Sequence, residues 1–128
     1  MQYEYFYGAQ AEQFSFYRIP KALFTEPNFR ELSTDAKVLY GILLDRMSLS
    51  LKNQWLDAQN KVYIIFTVDE IMDALNCANQ KATRLMVELE KQAGLIERKR
   101  QGLGRPNLIH VKNFAATING KSCEKGDS

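Results

Sequence analysis

Apolar positions recur with helical spacing in three stretches of this chain and pack into short strand-like runs in three others. Ala36, Leu39, Tyr40, Leu43, Leu44 and Met47 share one helical face. Ser33 ahead of them has the chemistry of an N-cap and Asp35 suits the first turn, so the pattern predicts a helix over residues 33–50. Gly41 lowers the propensity of that helix without breaking its pattern. Val62-Tyr63-Ile64-Ile65-Phe66 is β-branched and aromatic, which predicts a strand. Thr67-Val68-Asp69-Glu70 has the spacing of a capping box, opening a short helix with Ile71, Met72 and Leu75 inward. That helix should stop near Asn76, which tolerates a left-handed backbone. Asn79 is the next candidate N-cap, for a helix running to about Ala93 and stopped by Gly94. Leu95 to Arg100 and Leu108 to Lys112 then read as two strands around the turn-rich tip Gln101-Gly102-Leu103-Gly104-Arg105-Pro106-Asn107.

A short helix, a tight turn, a second helix and a hairpin, in that order from Thr67 to Lys112, form the layout of a winged helix-turn-helix. The expected fold class is α+β, mostly helical with a C-terminal β-hairpin wing. Residues 18–114 are expected to form this domain. Residues 115–128, polar and glycine-containing, look like a linker towards a C-terminal domain that the sequence does not contain. Residues 1–17 form an aromatic-rich N-terminal arm with Tyr3, Tyr5, Phe6, Tyr7, Phe14, Phe16 and Tyr17. A disordered tail would be poor in aromatics, so the arm is expected to pack, on its own domain or on a second subunit. Pro20 stands near the start of a short helical turn after Ile19. Leu51 to Lys61 is polar and should be a loop or short hairpin, with Trp55 anchoring it to the core.

Composition narrows the function classes. A chain of 128 residues, 45% apolar and 25% charged, suits one soluble domain. No apolar run approaches the ~18 residues that a membrane span needs, and the N-terminus lacks the basic start and apolar centre of a signal peptide. Two distant cysteines and one histidine build neither a disulfide framework nor a zinc site. A cytoplasmic protein with no metal and no cofactor is therefore expected. Net charge is only +2, but its distribution is uneven. Residues 1–78 hold seven Lys/Arg against ten Asp/Glu, whereas residues 79–112 hold eight against three. Positive charge thus gathers on the second helix and the hairpin, the elements that would meet nucleic acid.

At about 100° per residue, Ala82, Leu85, Met86, Leu89 and Ala93 fall on one face of the helix over 79–93. Gln80, Lys81, Thr83, Arg84, Val87 and Lys91 fall on the other. The first turns of such a helix reach base edges, so Gln80, Lys81, Thr83 and Arg84 are the candidate readers. Gln pairs bidentately with adenine, Arg or Lys with guanine, and Thr meets a thymine methyl. Asn79 and the first-turn amides suit a phosphate. On the wing, Arg98, Lys99, Arg100, Arg105 and Lys112 would follow the phosphate backbone, with Arg105 and Asn107 at the tip. Gly102 and Gly104 would let that tip approach a groove closely. The competing reading is an ordinary solvated helix face and a hairpin whose charges guard against aggregation. Enzymatic readings are weak: Asp69, Glu70 and Asp73 suit a helix start, His110 has no sequence neighbour to act with, and no phosphate-loop motif is present.

Three segments add a more specific signal: Lys52-Asn53-Gln54-Trp55-Leu56-Asp57, Val62 to Thr67, and Gly94 to Asn107 with its Gly-Leu-Gly-Arg-Pro-Asn tip. Together they resemble the N-terminal domain of the RepA replication initiators of theta-replicating plasmids of Gram-positive bacteria, including staphylococcal multiresistance plasmids. The likeness runs over roughly residues 16–114. It implies a dimeric winged-helix domain that binds tandem double-stranded DNA repeats, or iterons, at a plasmid origin. It also implies a C-terminal domain resembling primosome proteins of the DnaD type, which would recruit host replication proteins, and pairing of origins to limit copy number. The expected DNA contacts are the helix and wing residues already named, with Glu88 and Glu90 turned away from the phosphates or packed on a neighbour. A winged-helix transcriptional repressor and a winged-helix protein-interaction module are the competing functions.

Overall fold

The computed structural model describes residues 2–8 and 13–115, so most of the expected linker lies outside the described residues. In chain order the elements are α1 (Ala22–Thr25), α2 (Thr34–Lys52), α3 (Val68–Leu75), α4 (Asn79–Val87), β1 (Ile96–Lys99) and β2 (Leu108–Val111). A 3-10 turn over Pro27–Phe29 follows α1, and a π-helical turn over Glu88–Gln92 extends α4. The fold is the expected winged helix-turn-helix, with two antiparallel strands as the wing.

Helix α2 is the centre of the domain. It starts where Ser33 predicts: the Ser33 hydroxyl accepts from the Ala36 amide at 3.1 Å. Its buried face holds Ala36, Leu39, Tyr40 and Leu43, as the spacing predicts, with Leu44 and Met47 half-buried at the margin. The face is wider than the pattern suggested, because Gly41 and Ile42 are also buried. Gly41 has a particular role. A Cβ there would lie 2.9 Å from both the Arg18 carbonyl oxygen and Ile19 Cγ1. The segment entering the domain therefore crosses α2 where a side chain is missing.

The core is closed by Leu23 and Phe29 below α2, by Ile71 of α3, by Ala82, Leu85 and Met86 of α4, and by Leu89, Leu95, Ile96 and Ile109. Thr67 completes the expected capping box: its hydroxyl accepts from the Glu70 amide at 3.2 Å, and its amide donates to Glu70 Oε1 at 3.0 Å. Helix α3 ends at Asn76 in the left-handed region, φ 51° and ψ 53°.

Three local expectations differ from the structure. The run Val62–Phe66 is not a full strand; only Ile64 pairs with the wing, exchanging two 2.9 Å hydrogen bonds with Ile109. On one side Tyr63 is committed to the Trp55 carbonyl at 3.2 Å, and on the other Thr67 already caps α3. Trp55 does not anchor in the core. It stacks on Tyr63 with ring centroids 6.3 Å apart and remains over a third exposed. The N-cap of α4 is Ala78, extended at φ −82° and ψ 167°, and not Asn79, which is the first helical residue. Much of the aromatic arm is exposed among the described residues, although Tyr17 lines a hollow with Ile42, Leu49 and Phe66. Tyr5 is 84% exposed, Phe16 60% and Tyr17 57%, and Phe14 meets only other arm rings, Phe6 at 5.9 Å and Phe16 at 6.2 Å.

Candidate nucleic-acid interface

Helix α4 presents its polar face outward as the face analysis predicts. Asn79, Gln80, Thr83 and Arg84 are exposed, while Ala82, Leu85 and Met86 are buried. The three-residue turn Asn76-Cys77-Ala78 sets this orientation through its left-handed first residue. No side chain caps the α4 N-terminus, so its first-turn amides keep their capacity to hold an anion. Lys81 differs from its neighbours. Its ammonium lies 2.7 Å from Asp35 Oδ2 of α2, and Lys81 is half-buried. The reading surface of α4 is thus three neutral side chains and one arginine, with its lysine already paired.

The wing pairs Ile96 with Val111, Glu97 with His110, Arg98 with Ile109 and Lys99 with Leu108. Gly102 and Gly104 both have positive φ, 122° and 75°, which L-residues rarely adopt. The tip is closed by Gln101 Nε2 donating to the Pro106 carbonyl at 2.8 Å. Lys99, Arg100, Arg105 and Asn107 are exposed, and Lys112 is exposed at the end of β2. Arg105 and Asn107 border a hollow of about 250 Å³ shared with Thr67, Val68 and Met86, which places the wing beside the start of α3 and the end of α4.

Arg98 departs from the expected phosphate contact. Strand alternation puts it on the same side as Ile96 and Ile109, facing the domain. There its Nε and a terminal nitrogen donate to Glu90 Oε1 at 2.9 and 2.8 Å, and its backbone amide donates to Glu90 Oε2 at 3.1 Å. Burial alone would raise the Glu90 carboxyl, but the hydrogen bonds from Arg98 and the charges of Arg98 and Lys91 hold it below the usual range. The parity of the strand, Ile96 in and Glu97 out, was the signal that could have separated Arg98 from Lys99. The other late acid, Glu88, is buried. Its two oxygens accept from the Ser33 amide and hydroxyl, both at 2.9 Å. Both acids therefore pack on neighbours, as expected.

Sequence reasoning missed two features. Leu103 is fully exposed at the wing apex, an apolar side chain between two glycines and the most prominent point of the tip. Asp57 organises the loop before the wing. Its Oδ1 accepts from the Gln59 and Lys61 amides at 2.8 and 2.9 Å, and its Oδ2 lies 3.0 Å from His110 Nε2. The Lys61 amide, then the Gln59 amide and His110, hold the Asp57 carboxyl low against a modest effect of burial. Spacing alone could not pair residues so far apart in sequence.

The elements thus define a winged helix-turn-helix domain with an uncapped, outward-facing second helix and a glycine-tipped basic wing. The chain belongs to the family described as the N-terminus of replication initiator protein A, whose model matches residues 15–125. It is 33% identical over 103 residues to a 41 kDa protein of Lactobacillus helveticus, a match covering 80% of this chain and 28% of that protein. The chain therefore spans under a third of that relative's length. Among solved structures, an "N-Terminal domain of DNA binding protein" is 35% identical with a TM-score of 0.72, the match covering 99% of this chain and 98% of that one. A "Structure of Rep-DNA complex" is 34% identical with a TM-score of 0.71, covering 98% of each chain. A "Structure of MDR initiator" is 37% identical with a TM-score of 0.67, covering 93% of this chain and 98% of that one. Among the described residues, no helix is long and apolar enough to cross a membrane.

Proposed function

We propose that this domain binds double-stranded DNA sequence-specifically at tandem repeats of a plasmid replication origin. In this reading α4 enters the major groove and the wing lies on the adjacent backbone. The observation that carries the reading is the outward face of α4: its N-terminus is uncapped, and Asn79, Gln80, Thr83 and, in the last turn, Arg84 are exposed along it. Free amides there hold a phosphate, and the side chains have the donors and acceptors that read base edges. Membership of the initiator family and the likeness to a structure described as a Rep–DNA complex support the same reading. Lys99, Arg100, Arg105 and Lys112 supply the phosphate-directed charge.

Two further parts belong to this proposal. The exposed aromatic arm supports a homodimer in which the arm packs against a second copy, because Tyr5, Phe6, Phe14 and Phe16 are all more than half exposed. Pairing of two origins and recruitment of host replication proteins would follow from a dimer joined to a C-terminal domain. A gel-shift titration with one repeat, two repeats and scrambled duplex tests the proposal. Preferred binding to repeats that weakens steeply with salt supports it, since each neutralised phosphate contributes about −0.9 to the log–log slope. A salt response that is flat would instead favour a protein-interaction module. Footprinting that protects one isolated palindrome over a promoter would favour a repressor.

A further inference from the structure

We infer that Glu90 is a positioning residue that fixes the angle between the recognition helix and the wing, so that both engage one DNA duplex together. The inference rests on the DNA-binding reading of these two elements. Glu90 lies in the π-helical turn directly after α4, and Arg98 lies in β1, the first strand of the wing. One carboxylate holds both parts of Arg98: Oε1 takes two guanidinium donors and Oε2 takes the backbone amide. A link to a side chain alone would leave the strand free to slide, whereas the amide bond fixes the strand itself. The pair is well shielded, with Glu90 14% and Arg98 25% exposed, so it is screened less than a surface ion pair.

The π-turn makes this reach possible. The Ala93 amide closes it on the Glu88 carbonyl at 3.0 Å, and after the left-handed Gly94 the Leu95 amide bonds back to the Leu89 carbonyl at 2.8 Å. These wider turns place Glu88 on Ser33 of the central helix and Glu90 on the wing, two residues apart in sequence but serving different elements. Helix, central scaffold and wing are thereby joined at the end of α4. Arg98 is spent on this link and is not a phosphate contact.

Removing Glu90 has two consequences of opposite sign. It deletes one negative charge from the domain, which favours any duplex, and it releases the wing, which disfavours the duplex that needs helix and wing at once. It also frees Arg98 to meet a phosphate. The test uses the 128-residue chain and two duplexes: one recovered by the wild-type chain from a randomised pool, and one of the same composition scrambled. For Glu90→Ala, affinity for the recovered duplex should fall about tenfold or more, and affinity for the scrambled one should hold or rise. The log–log salt slope should steepen by about 0.9, the contribution of one added phosphate contact. Glu90→Gln retains an acceptor for the amide and should restore part of the preference. Arg98→Ala, which leaves the amide bond in place, should leave the salt slope unchanged.

Several outcomes overturn the inference. Equal gains on both duplexes would make Glu90 a charge only, and equal losses a stabiliser only. A slope made shallower by about 0.9 in Arg98→Ala would make Arg98 a direct phosphate contact. Circular dichroism identifies a variant that does not fold, and Glu90→Gln, which keeps the side-chain shape, then decides alone by the same two duplexes. If the wild-type chain enriches no duplex from the pool, the DNA-binding proposal itself fails. If it enriches one and Glu90→Ala keeps the full preference, only the present inference fails.

Discussion

Gly41→Ala sets two effects of known size against each other in the middle of α2. Exposed in a helix, the exchange would stabilise the chain by about 1 kcal/mol, because alanine has the higher helix propensity. Here the new methyl group would stand 2.9 Å from the Arg18 carbonyl oxygen and 2.9 Å from Ile19 Cγ1. The Ile19 contact can relax, since that side chain is only half-buried. The Arg18 carbonyl belongs to the backbone and relieves the clash only if the whole crossing segment lifts from α2. Overpacking of this kind costs about 1–3 kcal/mol, so the steric term exceeds the propensity gain. The net expectation is a loss of about 1 kcal/mol, or a fall of about 4 °C in Tm for a domain of this size. Urea denaturation of wild type and variant measures it. Faster hydrogen exchange confined to the segment around residues 18–20 would locate the strain there. A variant more stable than wild type by about 1 kcal/mol would show that the crossing is not tight and that propensity alone governs this position.

Four more outcomes are expected. Glu88→Ala removes a buried carboxylate that accepts two hydrogen bonds from Ser33, and should cost about 3 kcal/mol in urea denaturation. Tyr40 is pushed up to about 12 by burial, so its neutral form is the one the fold prefers. Stability is thus intact below the unfolded value near 10 and is lost as pH rises from there to about 12, by about 3 kcal/mol in all. Denaturation series across that window should show the loss in wild type and not in Tyr40→Phe. Arg84→Ala should cost about 1–3 kcal/mol of binding to the preferred duplex in a gel shift, and an unchanged affinity would remove it from the interface. Leu103→Ser should weaken the preferred duplex several-fold while leaving the salt slope unchanged, because an apolar apex acts by contact with a groove and not by charge.

What was legible in the sequence is what is local. Ser33, Thr67 with Glu70, and Asn76 act on backbone groups within four residues of themselves, so their types and spacing sufficed to place the helix ends. The inward face of α4 was legible for the same reason, since the helical period decides it. What escaped was what only the tertiary structure brings together. Asp57 and His110 lie 53 positions apart, Ser33 and Glu88 lie 55, and nothing in either neighbourhood announces its partner. Trp55 was assigned to the core by size, but its planar ring found a neighbour in Tyr63 at the rim. The arm's aromatic content shows that it has apolar surface to cover, but content alone does not say which surface covers it, and most of its rings are exposed here.

The positive charge of residues 79–112 also reads differently once its partners are known. Counted along the chain, three of its cations fall on the helix and five on the wing. In the structure Lys81 pairs with Asp35 at the surface and Arg98 with Glu90 in a more shielded place, so Arg98 is the cation more firmly committed within the domain. Within α4, Arg84 in the last turn is then the cation left without an ion pair among the described residues, on the outward side with the neutral Asn79, Gln80 and Thr83. Lys99, Arg100 and Arg105 remain exposed on the wing, and Lys112 just after it. A phosphate contact adds affinity for every sequence and steepens the salt dependence, whereas a base contact adds preference. Under the proposed DNA-binding reading the two elements divide the work: the wing is expected to supply most of the charge-driven affinity and the outward face of α4 most of the discrimination. Substitutions of the wing cations should accordingly flatten the salt slope and spare the preference, and substitutions at Gln80 or Thr83 should do the reverse.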